Sequence, residues 1–272
     1  CIGINIKSSI LSCRHRSRPL DFRYEYVQLL LTGALAQAPP TSPASPAPPA
    51  SPASPASPAS PASPASPASP APPASPASKT SQAPEAPSRG VLLGLGGAGI
   101  VHLLRATRPA LKLDIVEIDG AVVALARQHF GYLARPGEQA FVQDAARFAK
   151  RPEQAGRHDL VMVDCFGESF IPPALLTAEF FRDVRGLLSP RGVLVANLWS
   201  THPRHEAIVR QYGKFYPHIW LVPGRSSGNS ILVASPNPLP DQATMIKRAH
   251  DLDSRSLVPF KVLPHAMRMR RP

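Results

Sequence analysis

Cysteine, aromatic and acidic side chains are scarce in this chain, and long apolar runs are missing. The three cysteines, Cys1, Cys13 and Cys165, have neither the even number nor the spacing of a disulfide framework or a zinc site. A disulfide-stapled fold is therefore excluded, no metal is implied, and a reducing, cytoplasmic setting is expected. No run reaches the about 18 apolar residues of a membrane-spanning helix, so no membrane partner is expected. Leu29 to Ala38 resembles a signal-peptide core ending in small residues. It lies deep in the chain and follows Arg23 and Glu25 closely, which argues against secretion. Acidic residues number 18 against 30 Lys and Arg, giving a net charge of +12. The basic excess gathers at the two ends, around Arg14, Arg16 and Arg18 and around Arg268, Arg270 and Arg271. Aromatics, only 6% of the chain, are not interleaved there in the way that stacks bases, so solvated basic ends are expected and no nucleic-acid partner.

What the chain has in excess is proline, 34 residues concentrated in one stretch. From Pro39 to about Ser78 the sequence repeats Ser-Pro-Ala. Such a tract offers no large apolar side chain to bury and few backbone donors, which predicts a disordered, extended linker over 39–88. The remaining organisation is a 1–38 segment with one amphipathic helix over Phe22 to Ala36, a domain over 89–236, and a basic tail over 237–272 whose order the pattern leaves open. The helix is expected to dock on the domain across the linker.

After Arg89, apolar runs of strand length alternate with helical stretches, the pattern of βαβ units around a parallel sheet buried on both faces. Strands are expected at 91–95, 112–117, 140–143, 159–164 and 192–198. Ile219–Val222 and Ser230–Ala234 are separated by too little chain for a helical crossover and should form an antiparallel hairpin at the sheet edge. The predicted fold class is α/β: a three-layer, doubly wound, mostly parallel sheet of about seven strands ending in an antiparallel hairpin, a methyltransferase-like Rossmann architecture.

Gly94-x-Gly96-x-x-Gly99, with Gly97 inside it, follows a strand and opens a helix, where glycines let the backbone approach a ligand. The motif suits NAD or adenosylmethionine equally. Glu117 ends the next strand about 20 residues on, where a carboxylate can accept both ribose hydroxyls. Asp119, before Gly120, reads as a further nucleoside contact or as a helix N-cap, and Asp144, followed by Ala145, carries the same two readings. Asp164 closes the apolar run Asp159–Asp164, where packing gives no reason for a carboxylate, and points to function. Cys165 reads as a small hydrophobe, and His102, His129 and His158 show no ligand spacing.

Taken together, Val91–Gly99, Ile115–Asp119, Val122–Phe130, Gln143-Asp144-Ala145, Asp159–Asp164, Ile171–Phe181, Leu188–Leu198 and Gly228-Asn229 resemble the spermidine synthase-like family, the polyamine aminopropyltransferases. The helix at Phe22–Ala36 looks like the family's helix before the glycine strand. The resemblance implies transfer of an aminopropyl group from decarboxylated S-adenosylmethionine to a polyamine acceptor, without a metal. By position it implies that Gly94, Gly96, Gly97 and Gly99 line the co-substrate, Glu117 holds the ribose, Asp144 and Ala145 hold the adenine, and Asp164 is the catalytic acid-base residue, with Asp119 a further co-substrate contact. Tyr26, Gln28 and Glu168 would face the amine. The family usually carries an aspartate within the glycine turn and another three residues after the catalytic one. Here the turn has none, with Ala98 among its residues, and the later position is Gly167. The family's N-terminal β-domain is also expected to be missing. A methyltransferase using S-adenosylmethionine and a catalytically degenerate binding module therefore stand as alternatives, and a homodimer is left open.

Overall fold

The computed structural model describes residues 2–6, 9–14, 20, 25–37, 88–166 and 171–272. The Ser-Pro-Ala tract and Glu168 lie outside these residues. Two short strands, β1 (Ile2–Ile6) and β2 (Ser9–Arg14), pair antiparallel as a separate two-stranded sheet. This hairpin was not expected in the N-terminal segment. Helix α1 (Glu25–Ala34) follows, inside the bounds expected for the amphipathic helix, whose first residues, 22–24, lie outside the described residues.

The main sheet is built from β3 (Arg89–Leu93), β4 (Lys112–Glu117), β5 (Ala140–Val142), β6 (His158–Val163), β7 (Leu188–Trp199), β8 (His218–Pro223) and β9 (Asn229–Ser235). Its order is β5-β4-β3-β6-β7-β9-β8. The pairs among the first five strands are parallel, and β9 is antiparallel to both β7 and β8. The fold is thus α/β with the expected seven strands and closing hairpin. Helices α2 (Gly99–Thr107), α3 (Gly120–Phe130), α4 (Ala145–Ala149), α5 (Ala178–Leu187) and α6 (His205–Gly213) connect the strands.

The strands alternate between two apolar faces, as burial on both sides requires. Leu92, Ile115, Met162, Val195 and Val233 pack into one core with α1 and α2. Leu93, Val116, Val163, Ala196 and Leu232 pack into the other with α4, α5 and α6. Helix α1 lies flat against the first face. A Cβ on Gly33 would meet the Val195 Cγ1 at 2.9 Å, so the helix reaches the sheet only because that residue is glycine. Leu29, Leu30 and Leu31 are wholly buried there.

The basic 237–272 segment is not a solvated tail. It folds as α7 (Gln242–Ser254) and α8 (Leu263–Ala266), and Met245, Ala249, Leu252, Val262, Ala266 and Met269 join the first core. The Asp253 carboxylate accepts from the Val262 and Leu263 amides at 2.8 and 3.1 Å, fixing the turn between the two helices. Its arginines stay outside the core while apolar side chains at helical spacing turn inward.

Candidate active site

Strand β3 has β4 on one side and β6 on the other, so the chain's winding reverses there. In open α/β sheets the crevice beyond such a reversal is where ligands lie. The turn leaving β3 shapes that crevice. Gly94 has φ +94°, and a Cβ there would lie 2.3 Å from the Asp164 carbonyl oxygen. Only glycine fits. Gly96 also has positive φ, and Ala98, fully buried, takes the left-handed conformation at φ 57° before α2 begins at Gly99. A non-glycine residue in that conformation stores local strain. The turn is therefore tightly determined by its surroundings.

Glu117 sits at the tip of β4 and closes over this turn. One oxygen accepts the Leu95 amide at 2.9 Å and the other the Asp119 amide at 3.2 Å. A carboxylate accepts about four hydrogen bonds, so both oxygens retain capacity for a diol. Asp119 takes the Ala121 amide at 2.8 Å and caps α3. Asp144 takes the Arg147 amide at 2.9 Å through Oδ1 and caps α4, which starts at Ala145. Both capping roles were one of the two readings of these residues. Ile118 and Val142 are 68% and 60% exposed, unusual for such side chains. Ile118 follows Glu117 directly and Val142 lies two residues before Asp144, and that position was the available signal.

Asp164 follows β6 directly, and its amide donates to the Leu93 carbonyl at 2.8 Å. Its carboxyl Oδ1 accepts from Asn197 Nδ2 at 2.8 Å, and Asn197 Oδ1 accepts from Asn229 Nδ2 at 2.8 Å. Burial pushes the Asp164 carboxyl up to about 6, the charge of Glu117 adds to the rise, and the Asn197 hydrogen bond opposes it. Burial, followed by the charges of Asp164, Glu117 and Asp144, drives the Cys165 thiol well above its usual range. The three carboxylates thus converge on one rim, and the thiol among them is kept protonated and poorly nucleophilic. Asn197 and Asn229, both buried, were not singled out from the sequence as site residues. Asn197 is a polar residue inside the apolar run of β7, which is the signal that could have found it.

Tyr26 and Gln28 occupy the first turn of α1, beside the loop that joins β8 to β9 and at the same end of the sheet as Asp164. Gln28 Oε1 lies 3.2 Å from His265 Nε2. His158, in contrast, is wholly buried under the opposite end of the sheet at Gly90, and burial pushes its imidazole down to about 4. It is a neutral packing residue. No group of three or more His, Cys, Asp or Glu side chains suited to a metal gathers among the described residues. Among the same residues no helix is long and apolar enough to cross a membrane.

Comparison with known proteins bears on the fold that carries this site. Residues 90–222 match the model of the spermine/spermidine synthase domain. Over 177 residues the chain is 33% identical to the polyamine aminopropyltransferase of Vibrio vulnificus, covering 63% of this chain and 58% of that protein. The chain thus spans less than two thirds of that relative's length. It is also 30% identical over 116 residues to the eEF1A lysine and N-terminal methyltransferase of Danio rerio, covering 40% of this chain and 17% of that protein. A crystal structure of a probable spermidine synthase from Corynebacterium glutamicum superposes with a TM-score of 0.64 at 18% identity, over 91% of this chain and 78% of that one. The α/β sheet that carries Gly94, Glu117 and Asp164 at its rim therefore has a methyltransferase-like fold, and over residues 90–222 the chain is similar to a spermine/spermidine synthase domain.

Proposed function

We propose that this chain is a transferase that moves an aminopropyl group from decarboxylated S-adenosylmethionine to a polyamine acceptor. The residues at the rim fit such a nucleoside. Glu117 holds spare acceptor capacity for the ribose hydroxyls, and Asp144 caps α4 through Oδ1 alone, leaving Oδ2 open among the described residues for an adenine amino group. Ile118 and Val142 offer exposed apolar surface beside them, as a planar base requires. Gly94 and Gly96 provide the close backbone approach. The sulfonium of the bound co-substrate supplies an activated carbon.

The observation that carries the reading is the carboxyl of Asp164. A primary amine attacks carbon only as the free base, so it must lose a proton in a site that excludes bulk water. Asp164 stands at the rim with its carboxyl pushed up to about 6, close to the range in which a general base operates best. Ionised, it orients an ammonium and accepts its proton. Asn197 fixes the carboxyl through Oδ1, leaving Oδ2 for the amine. Tyr26, Gln28 and Glu168 are assigned to the same acceptor.

The second reading is methyl transfer from S-adenosylmethionine. The absence of an aspartate in the glycine turn and Gly167 in place of a second acid favour it, since a dication needs local negative charge. Incubation of the protein with both nucleosides and a panel of diamines, read by mass spectrometry, separates the two. Methylthioadenosine with an acceptor heavier by an aminopropyl group is expected. Adenosylhomocysteine with a methylated acceptor would establish the second reading instead.

A further inference from the structure

The loop between β8 and β9 is tied to both ends of the molecule's polar machinery. Its three successive amides, on Arg225, Ser226 and Ser227, all donate to the carboxylate of Glu25 at 2.8 to 3.1 Å, and the Ser226 hydroxyl adds a fourth donor at 2.9 Å. Glu25 is the first residue of α1, about 200 residues away in sequence, as the separation of 201 between Glu25 and Ser226 shows. Successive backbone amides of this kind form a concave anion site. Arg268, just beyond α8, at 3.5 Å and His265 of α8 at 4.0 Å complete it, and the Arg225 charge lies near enough to His265 to be felt there.

The other end of the same loop leads to Asp164. Ser227 Oγ accepts the Asn229 amide at 3.3 Å, and the Asn229 carbonyl accepts the Gly224 amide at 2.9 Å, closing the loop on itself. Asn229 Nδ2 then donates to Asn197, and Asn197 donates to the Asp164 carboxyl. The Asn197 amide is oriented by Asn229, because an amide that accepts at its oxygen presents its nitrogen to the next acceptor, and the Asn229 backbone is held by Ser227. The path Glu25–Ser227–Asn229–Asn197–Asp164 is thus a continuous chain of hydrogen bonds in which Asn229 donates both ways, through its backbone amide toward Ser227 and Glu25 and through its side-chain amide toward Asn197 and Asp164.

We propose that Glu25 is a positioning residue for Asp164: by gripping the β8–β9 loop, the N-terminal helix fixes Asn229 and, through Asn197, the carboxyl of Asp164. This deepens the proposed function and rests on the reading of Asp164 as the proton acceptor. The grip holds throughout the neutral range, because the loop amides and the Ser226 hydroxyl outweigh the opposing effect of burial and hold the Glu25 carboxyl down to about 2. Docking of α1 thereby sets the geometry of the reaction centre as well as covering the core.

The test reads the Asp164 carboxyl in the full-length protein without any nucleoside, by carbon-13 NMR titration of labelled aspartate. It does not depend on which group the enzyme transfers, so its failure and a failure of the proposed reaction are separate results. Asn197→Ala removes the bond that stabilises the ionised form, and the Asp164 midpoint should rise by roughly half to one pH unit, the size of one hydrogen bond. Ser227→Ala and Glu25→Ala should shift it in the same direction by smaller amounts, and Glu25→Gln, which keeps an acceptor in the amide cluster, should restore part of the change. The groups that face Asp164 and could confuse the shift are Glu117 and Cys165, and none of these variants alters them. Ser227→Ala keeps every backbone donor to Glu25 and leaves α1 in place, so its shift is informative even if Glu25→Ala frees the helix. An Asp164 midpoint that moves with Asn197→Ala but stays fixed in Ser227→Ala and in Glu25→Ala would overturn the proposal.

Discussion

A carboxyl at the tip of an apolar strand is stabilised when protonated and strained when charged, and Asp164 lives with that conflict. Its folded-state value of about 6 lies above the ordinary aspartate value of 3.8. The protonated form therefore stabilises the fold fully below about pH 4, and that stabilisation is lost as pH rises through about 6. Near pH 7 the ionised group costs on the order of 3 kcal/mol, from about two pH units at about 1.4 kcal/mol each. Asp164→Asn should accordingly gain up to that much in urea unfolding at pH 7 and match the wild type near pH 4, while its turnover falls roughly 100- to 10,000-fold. Equal stability of the two proteins at pH 7 would refute the assigned burial. Gly94→Ala tests the same corner sterically. A Cβ 2.3 Å from the Asp164 carbonyl at φ +94° forces the β3 turn and Asp164 apart, and should cost at least ~1–3 kcal/mol with loss of nucleoside binding by calorimetry. Gly94, Glu117 and Asp164 were legible because each follows an apolar run directly, and strand ends need no three-dimensional knowledge. Asn197 and Asn229 were not, because their meaning lies in a partnership across antiparallel strands 32 residues apart.

At the scale of elements, strand boundaries were read from apolar runs and came within a few residues, the widest miss being β7. It begins at Leu188 and shifts register where it passes Pro190 and Arg191, residues that break the apolar pattern and hide the strand's start. The C-terminal helices were missed for a related reason. Met245, Ala249 and Leu252 recur at the spacing of one helix face, but Lys247, Arg248, His250 and Asp251 between them dominate the local composition. The structure makes α1 and α7 neighbours through polar contacts as well. Arg248 donates to the Leu35 and Ala36 carbonyls at 2.6 and 3.1 Å, and Arg108 donates to the Ala34 and Gln37 carbonyls. Cations at these carbonyls satisfy the helix C-terminus and complement its dipole. Leu30→Ala, in a helix buried against β7 and β9, should cost ~2–5 kcal/mol in unfolding free energy. A loss below ~1 kcal/mol would mean that α1 adds little to the core.

For the molecule as a whole, the chain builds one core from pieces that are distant in sequence. Helix α1 ends at Ala34 and β3 starts at Arg89, yet Leu29, Leu30 and Leu31 belong to the same core as Leu92 and Val195. The Ser-Pro-Ala tract between them was read from composition as a spacer, and a spacer of that composition would keep α1 at a high local concentration near its docking face. A helix of 10 residues is marginal in water by itself, so its order depends on that docking. The consequence is measurable. If a protease recognition sequence replaces one Ser-Pro-Ala triplet and the chain is cut there, docking of α1 becomes a bimolecular event. The melting temperature of the cut protein should then fall on dilution, whereas that of the intact chain should not change with concentration. Adding the 1–38 peptide in excess should restore the melting temperature of the cut protein, since ligand-like binding to the folded state stabilises it by mass action. A Glu25→Ala peptide should restore it less well, because the three loop amides and Arg268 would lose the carboxylate they converge on. A cut protein whose melting temperature is unchanged on dilution and indifferent to the peptide would show that α1 does not complete the fold.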